Sequence, residues 1–205
     1  METLKRTVLE IGTASIARPG EIESGDMHLA RRFRNGALVA VVDGLGHGTE
    51  AAEAARIAVE ALSERPQDSV ITLVRKCHEE LRGTRGVVMS LASLNTRDET
   101  VAWLCVGNID SILLRAKHDA SSSYESIMQR GGVVGHKLPP LQATLTTVDA
   151  GDTLVLSTDG IQTGFARHLS LSFRPQQVAD HILTHYRKGT DDALVLVARY
   201  RGKRK

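Results

Sequence analysis

Seven short runs of β-branched and aliphatic residues punctuate this chain, at residues 7–15, 37–42, 86–94, 101–106, 111–116, 153–157 and 193–200. Each has the length and composition of a strand bounded by turn residues. The connections at 95–99 and 108–110 are too brief for a parallel crossover, which needs about a dozen residues or more, so the strands they join must run antiparallel. A mostly antiparallel sheet is therefore expected. Apolar residues at three- and four-residue steps predict helices over 49–62 and 68–81, with Thr49 and Asp68 as N-caps, and Gly83 closes the second. Pro175 opens a third, followed by Val178, Ile182, Leu183 and Tyr186, with Gly189 beyond.

The 205 residues are 41% hydrophobic and carry a net charge of +2, and a chain this long can bury a core without disulfides. No repeat, Pro-rich linker or break in composition divides it, so a single domain over 1–205 is expected. Its basic tail, about 199–205, holds Arg199, Arg201, Lys203, Arg204 and Lys205 and reads as solvated. With aromatics at 3%, the stacking platform of a nucleic-acid binder is missing and nucleic acid is an unlikely partner. Cys77 and Cys105 have no CxxC spacing and fit a reducing cytoplasm. The first residues lack an apolar signal region, and the longest apolar run, 37–42, is far below a membrane span. Neither export nor membrane insertion is expected. Residues 117–141, including the serine-rich 120–123, read as a long connection near a functional surface, its conformation left open, with Gly131-Gly132-Val133-Val134-Gly135 a flexible stretch of it.

Acidic residues recur where apolar strands end: Asp26 after Ser24-Gly25, Asp43 before Gly44, Asp159 before Gly160, and Asp191-Asp192 ahead of the last strand. Any single Asp-Gly reads as a turn. Four such places together read as a site, because carboxylates gathered from distant segments repel one another unless cations neutralise them. All-oxygen ligation selects a hard ion, Mg²⁺ or Mn²⁺, over Zn²⁺. Glycine after Asp43 permits a tight turn and leaves a carbonyl open to the ion.

Ser24-Gly25-Asp26, Asp43-Gly44-Leu45-Gly46-His47-Gly48, Ser157-Thr158-Asp159-Gly160 and Asp191-Asp192, with Gly107-Asn108 and Gly151-Asp152 between them, resemble the ordered motifs of the metal-dependent PPM (PP2C-type) serine/threonine phosphatases. The likeness is to their bacterial sigma-regulating branch, and most to the RsbX-type stressosome phosphatases. It implies an α+β fold, a four-layer α-β-β-α sandwich of two mostly antiparallel sheets flanked by helices. It implies two ions, Mn²⁺ or Mg²⁺, with a third, weaker one an option around Asp159. Asp43 would bridge the pair, the Gly44 carbonyl would bind one ion, Asp159 and Asp191 would hold the second, and Asp26 would orient water from outside. Asp192 is a neighbour whose part is either ligation or structure. The implied activity is hydrolysis of phosphoserine or phosphothreonine on stressosome or STAS-type anti-sigma-antagonist proteins by a metal-activated water.

The sequence departs from the better-known eukaryotic members of that family in three places. Leu45 stands where a proton-donating His is found, with His47 the nearest imidazole; Glu21 stands where an Arg clamps phosphate, with Arg18 nearby; and Leu194 replaces a hydroxyl residue. The general acid and the phosphate clamp are thus left open. Two rivals follow: a binding module of the same fold with weak chemistry, and a metal-dependent nuclease whose basic tail holds its substrate. His181 and His185, one helical turn apart, read as a solvated helix face.

Overall fold

The computed structural model describes residues 8–117 and 124–203. The serine-rich patch at 120–123, the first seven residues, and Arg204 and Lys205 of the basic run lie outside them. Two five-stranded sheets pack face to face. The first takes the order β1 (Leu9–Ile16), β10 (Ala193–Tyr200), β9 (Thr153–Ser157), β6 (Asp110–Leu114), β7 (Tyr124–Ser126). The second takes the order β2 (Asp26–Phe33), β3 (Gly36–Gly44), β4 (Val87–Asn95), β5 (Thr100–Val106), β8 (Thr144–Thr147). Every pairing is antiparallel, as the short connections require.

Strand alternation sorts side chains into three apolar layers. On β3, Leu38, Ala40 and Val42 face the helices α1 (Thr49–Glu64) and α2 (Val70–Glu80), while Ala37, Val39 and Val41 face the other sheet. On β10, Leu194, Leu196 and Ala198 meet them across the sandwich, and Ala193, Val195 and Val197 face α3 (Pro175–Tyr186). The four-layer α-β-β-α arrangement follows. A buried pair of hydroxyls, Ser90 and Ser111, 2.7 Å apart, pins one sheet to the other within the middle layer.

The helices form where periodicity places them, with different caps. Gly48, not Thr49, is the N-cap of α1 and offers no side-chain bond. Ser69, not Asp68, caps α2 by accepting from the Thr72 amide at 3.1 Å. The buried face of α1 is built mainly of alanines, Ala51, Ala54, Ala55 and Ala58 among them, so this helix lies close against its sheet; it ends where Pro66 restricts Arg65. Three strands went unread in the sequence. β2 and β8 are edge strands with mostly polar outward faces, and β7 has only three residues.

Residues 131–138 are not the flexible connection expected. Val134 is fully buried in the helix-side core and exchanges both backbone hydrogen bonds with Val87, at 3.0 and 2.9 Å. Apolar anchoring overrides the glycine content there. The basic run is likewise partly structural: Arg199 lies inside β10, Arg201 pairs with Glu10 at 3.1 Å, and Lys203 pairs with Glu99 at 3.2 Å. His181 and His185 are exposed, as expected of a solvated face. Among the described residues, no helix is long and apolar enough to cross a membrane.

Candidate metal centre

Register brings the first two carboxylates together. In the β2–β3 pairing Asp26 stands directly opposite Asp43, and Asp43 continues the row Ala37, Val39, Val41 that faces the opposing sheet. That row ends in an acid where the apolar middle layer gives out. From the other sheet, Asp159 follows the end of β9 and Asp191 and Asp192 precede β10. All five aspartates line one cavity of about 340 Å³, together with Arg18, Leu45, Gly46, His47, Asn108 and Val133. The cavity floor is buried and its rim open: Asp26 is 7% exposed and Asp192 5%, whereas Asp191 is exposed.

The glycines of these motifs have a purpose the sequence did not reveal. Neither Gly44 nor Gly160 has a left-handed φ, so neither is there for a turn. A Cβ on Gly44 would lie 2.1 Å from the Ala51 carbonyl oxygen, and one on Gly160 would lie 1.9 Å from the carbonyl oxygen of Asp192. Glycine lets α1 approach the end of β3, and lets the segment before β10 cross the turn after β9. The Gly44 amide donates to the Gly25 carbonyl at 3.0 Å, and the Gly44 carbonyl is 3.4 Å from where a Cβ on Gly25 would lie.

Asp26, Asp159 and Asp192 are each held by named donors. Thr158 Oγ1 donates to Asp26 Oδ2 at 2.7 Å and itself accepts from the Leu194 amide at 2.9 Å, so one hydroxyl joins β9, β10 and β2 across the sandwich. Asn108 donates to Asp159 Oδ2 at 2.7 Å. Asp192 Oδ1 accepts from the Arg18 amide at 2.8 Å and Oδ2 from the Gly25 amide at 2.7 Å, which clamps the loop 17–25 to the start of β10. These roles for Thr158, Asn108 and Asp192 depend on contacts 36 to 174 residues apart in sequence, which no local pattern discloses; the one signal was that Thr158 and Asp192 sit inside the acidic motifs and Asn108 in a motif between them.

Electrostatics shows that the cluster wants a cation. Burial, opposed by the Thr158 hydrogen bond and reinforced by Asp192, Asp159 and Asp191, raises Asp26 from 3.8 to about 7. Burial and then the charges of Asp26, Asp159, Asp191 and Asp192 raise Asp43 from 3.8 to about 8. Among the described residues, no three His, Cys, Asp or Glu side chains already close around one point. The donors fit hard ions that keep several waters and take one or two carboxylates each, the coordination habit of Mg²⁺. The thiols of Cys77 and Cys105 are buried apart from the cavity and suit no soft-metal site there.

Thr158→Val preserves shape but strips a buried donor from Asp26 and a buried acceptor from the Leu194 amide. It is expected to cost about 1–3 kcal/mol of stability in urea unfolding. Unchanged stability would show that the bond between the sheets contributes nothing.

The model of the Stage II sporulation protein E (SpoIIE) family matches residues 34–201, which include Asp43, Asp159, Asp191 and Asp192 but not Asp26. The phosphoserine phosphatase RsbX of Bacillus subtilis (strain 168) is 21% identical over 176 residues, covering 85% of this chain and 86% of that protein. A solved structure reported as "The bacterial stressosome: a modular system that has been adapted to control secondary messenger signaling" is 33% identical, with a TM-score of 0.84 over 93% of this chain and 99% of the other. The crystal structure of RsbX in complex with magnesium is 19% identical, with a TM-score of 0.82 over 94% and 95% of the two chains. With residues 34–201 of the chain matched by the family's model, and two antiparallel sheets between helices ending in one acidic cavity, the chain belongs to the Stage II sporulation protein E (SpoIIE) family and has the fold of PP2C-type phosphatases.

Proposed function

We propose that this chain is a metal-dependent phosphoprotein phosphatase that hydrolyses phosphoserine or phosphothreonine on stressosome or STAS-type regulatory proteins in the cytoplasm, using Mn²⁺ or Mg²⁺. One observation carries the reading: five aspartates from four separate segments line a single cavity, and two of them hold their protons far above the ordinary carboxylate range. The similarity to a phosphoserine phosphatase over most of both chains supports the reaction class, and the likeness to the stressosome structure supports the setting.

Asp43, the Gly44 carbonyl, Asp159 and Asp191 would hold the ions, with Asp26 beside them. When bound, the ions would supply positive charge to the phosphoryl oxygens and acidity to a water. The chain's own residues supply the rest. Thr158 and Asn108 each hold one carboxylate oxygen, of Asp26 and of Asp159, and so orient those acids. Arg18 borders the cavity as a lining cation and sits where a phosphoryl dianion would gain from it. Asp192 keeps its clamp on the loop that carries Arg18.

Phosphorylated STAS-domain proteins incubated with the chain and Mn²⁺ are expected to lose the mass of one phosphoryl group per site. Excess chelator should abolish the loss and restored Mn²⁺ should recover it, as read by intact mass. Dephosphorylation that persisted through chelation would overturn the metal-dependent mechanism.

A further inference from the structure

We infer that His47, held by Glu21, protonates the leaving group, a role that rests on the phosphatase reading above. Breaking the P–O bond of a phosphoserine leaves a strongly basic alkoxide, which a nearby acid must protonate. Of the groups lining the cavity, Arg18 keeps its proton at any working pH and Asn108 has none to give. Asp43, Asp159 and Asp191 are the ion ligands of that reading, Asp26 is engaged by the Thr158 hydroxyl at the buried floor, and both oxygens of Asp192 are taken by the Arg18 and Gly25 amides. His47 is the imidazole among the lining side chains, a ring with one nitrogen to anchor and a second to donate a proton.

The surroundings of His47 prepare it for this task. Its Nδ1 lies 2.7 Å from Glu21 Oε1; because a carboxylate accepts, Nδ1 carries the hydrogen and Nε2 is the nitrogen left to meet a ligand. The ring is 52% exposed against 29% for Glu21, so the pair sits at the mouth of the cavity and not in the core. Glu21 is set in place by two things: its amide donates to the Arg18 carbonyl at 3.2 Å, and the Asp192 clamp secures that loop on both sides. His47 also sits just before Gly48, the N-cap of α1, where the helix dipole opposes a cation. Glu21 answers that field directly, since its Oε2 lies 3.3 Å from where a Cβ on Gly48 would be. The other charges nearby are Arg85, which packs on Gly46 and pairs with Glu50 of α1, and, across the cavity, Arg18 and the aspartates.

In the step so assigned, a water oxygen forms the new bond to phosphorus and the bond from phosphorus to the serine oxygen breaks. The electron pair of that bond stays on the serine oxygen, which takes the proton from Nε2. The neutral ring keeps its Nδ1 hydrogen on Glu21. It regains a proton from solvent, into which the attacking water has released its own.

A good leaving group needs no such proton, and this separates chemistry from structure. The intact chain with saturating Mn²⁺ would be assayed on a phosphoserine peptide and on 2,4-dinitrophenyl phosphate. His47→Gln is expected to lower kcat/KM for the peptide about 10²-fold or more while changing the aryl ester by less than about threefold. Glu21→Gln, acting through the ring as a positioning residue, is expected to lower the peptide rate about 10-fold and leave the aryl rate unchanged. Equal losses on both substrates, or none on the peptide, would overturn the role of His47 while leaving the phosphatase reading intact. A parent chain inactive on both substrates would overturn the phosphatase reading and this role together.

Discussion

Asp43→Asn should reduce turnover of a phosphorylated protein by at least about 10³-fold, or about 4 kcal/mol of barrier, while leaving the ion-free fold at least as stable as the parent. The two halves have one cause. Asp43 stands opposite Asp26 in the β2–β3 register and shares its cavity with three more carboxylates. Without ions it is an uncompensated acid, which burial and its neighbours together push up to about 8. Asparagine keeps the shape, removes the repulsion and removes the charge that would bind a cation. Rate measurements with Mn²⁺, paired with thermal melts in chelator, check both halves. Near-native turnover would remove Asp43 from the mechanism, and a large drop in ion-free melting temperature would show that its carboxylate stabilises the fold and does not strain it.

The second large effect is on stability against pH. Asp26 and Asp43 have folded values of about 7 and about 8, against 3.8 for the free side chain. Between pH 3.8 and about 8 the folded protein therefore holds protons that the unfolded chain has released. Stability must then fall as pH rises through that window, because the native state binds more protons than the unfolded one. This is opposite to the behaviour of a carboxylate held by a salt bridge. Divalent ions reverse the trend: at a concentration about 100 times the dissociation constant they add about 2.7 kcal/mol. The gain is larger at alkaline pH, where protons no longer compete for the ligands. Melting curves at several pH values with Mn²⁺ and with chelator test this. An ion-free melting temperature that climbed steadily toward pH 8, with no response to Mn²⁺, would contradict it.

How much of this was legible in the sequence depended on how local the cause was. β3 announced itself because a central strand covered on both faces reads as an unbroken apolar run. β2 did not, because only Asp26 and Leu29 of its eight residues are buried, and its arginines resemble a loop. The acids were visible as strand-end residues, yet the pairing of Asp26 with Asp43 was not, since it requires β2 to be a strand at all. The glycines beside Asp43 and Asp159 looked like turn residues because sequence shows only the neighbour in the chain. Their actual constraint comes from Ala51 and Asp192, contacts set by packing. For the same reason the Glu21–His47 pair, 26 residues apart, could be noticed as one departure from a family pattern and the imidazole nearest another, but not as one unit.

The acids are divided between the two sheets: Asp26 and Asp43 ride on one, while Asp159 and Asp191 hang from the other. The gap between those sheets is filled by ordinary side chains such as Ala92, Trp103 and Leu196. The spacing of the ligands is therefore governed by the thickness of a greasy filling that never touches an ion. Swapping a small residue for a bulkier one in that filling alters the bite of the site as surely as moving an aspartate. Affinity for one ion over another can thus drift through the interior of the molecule while every acidic residue stays as it is.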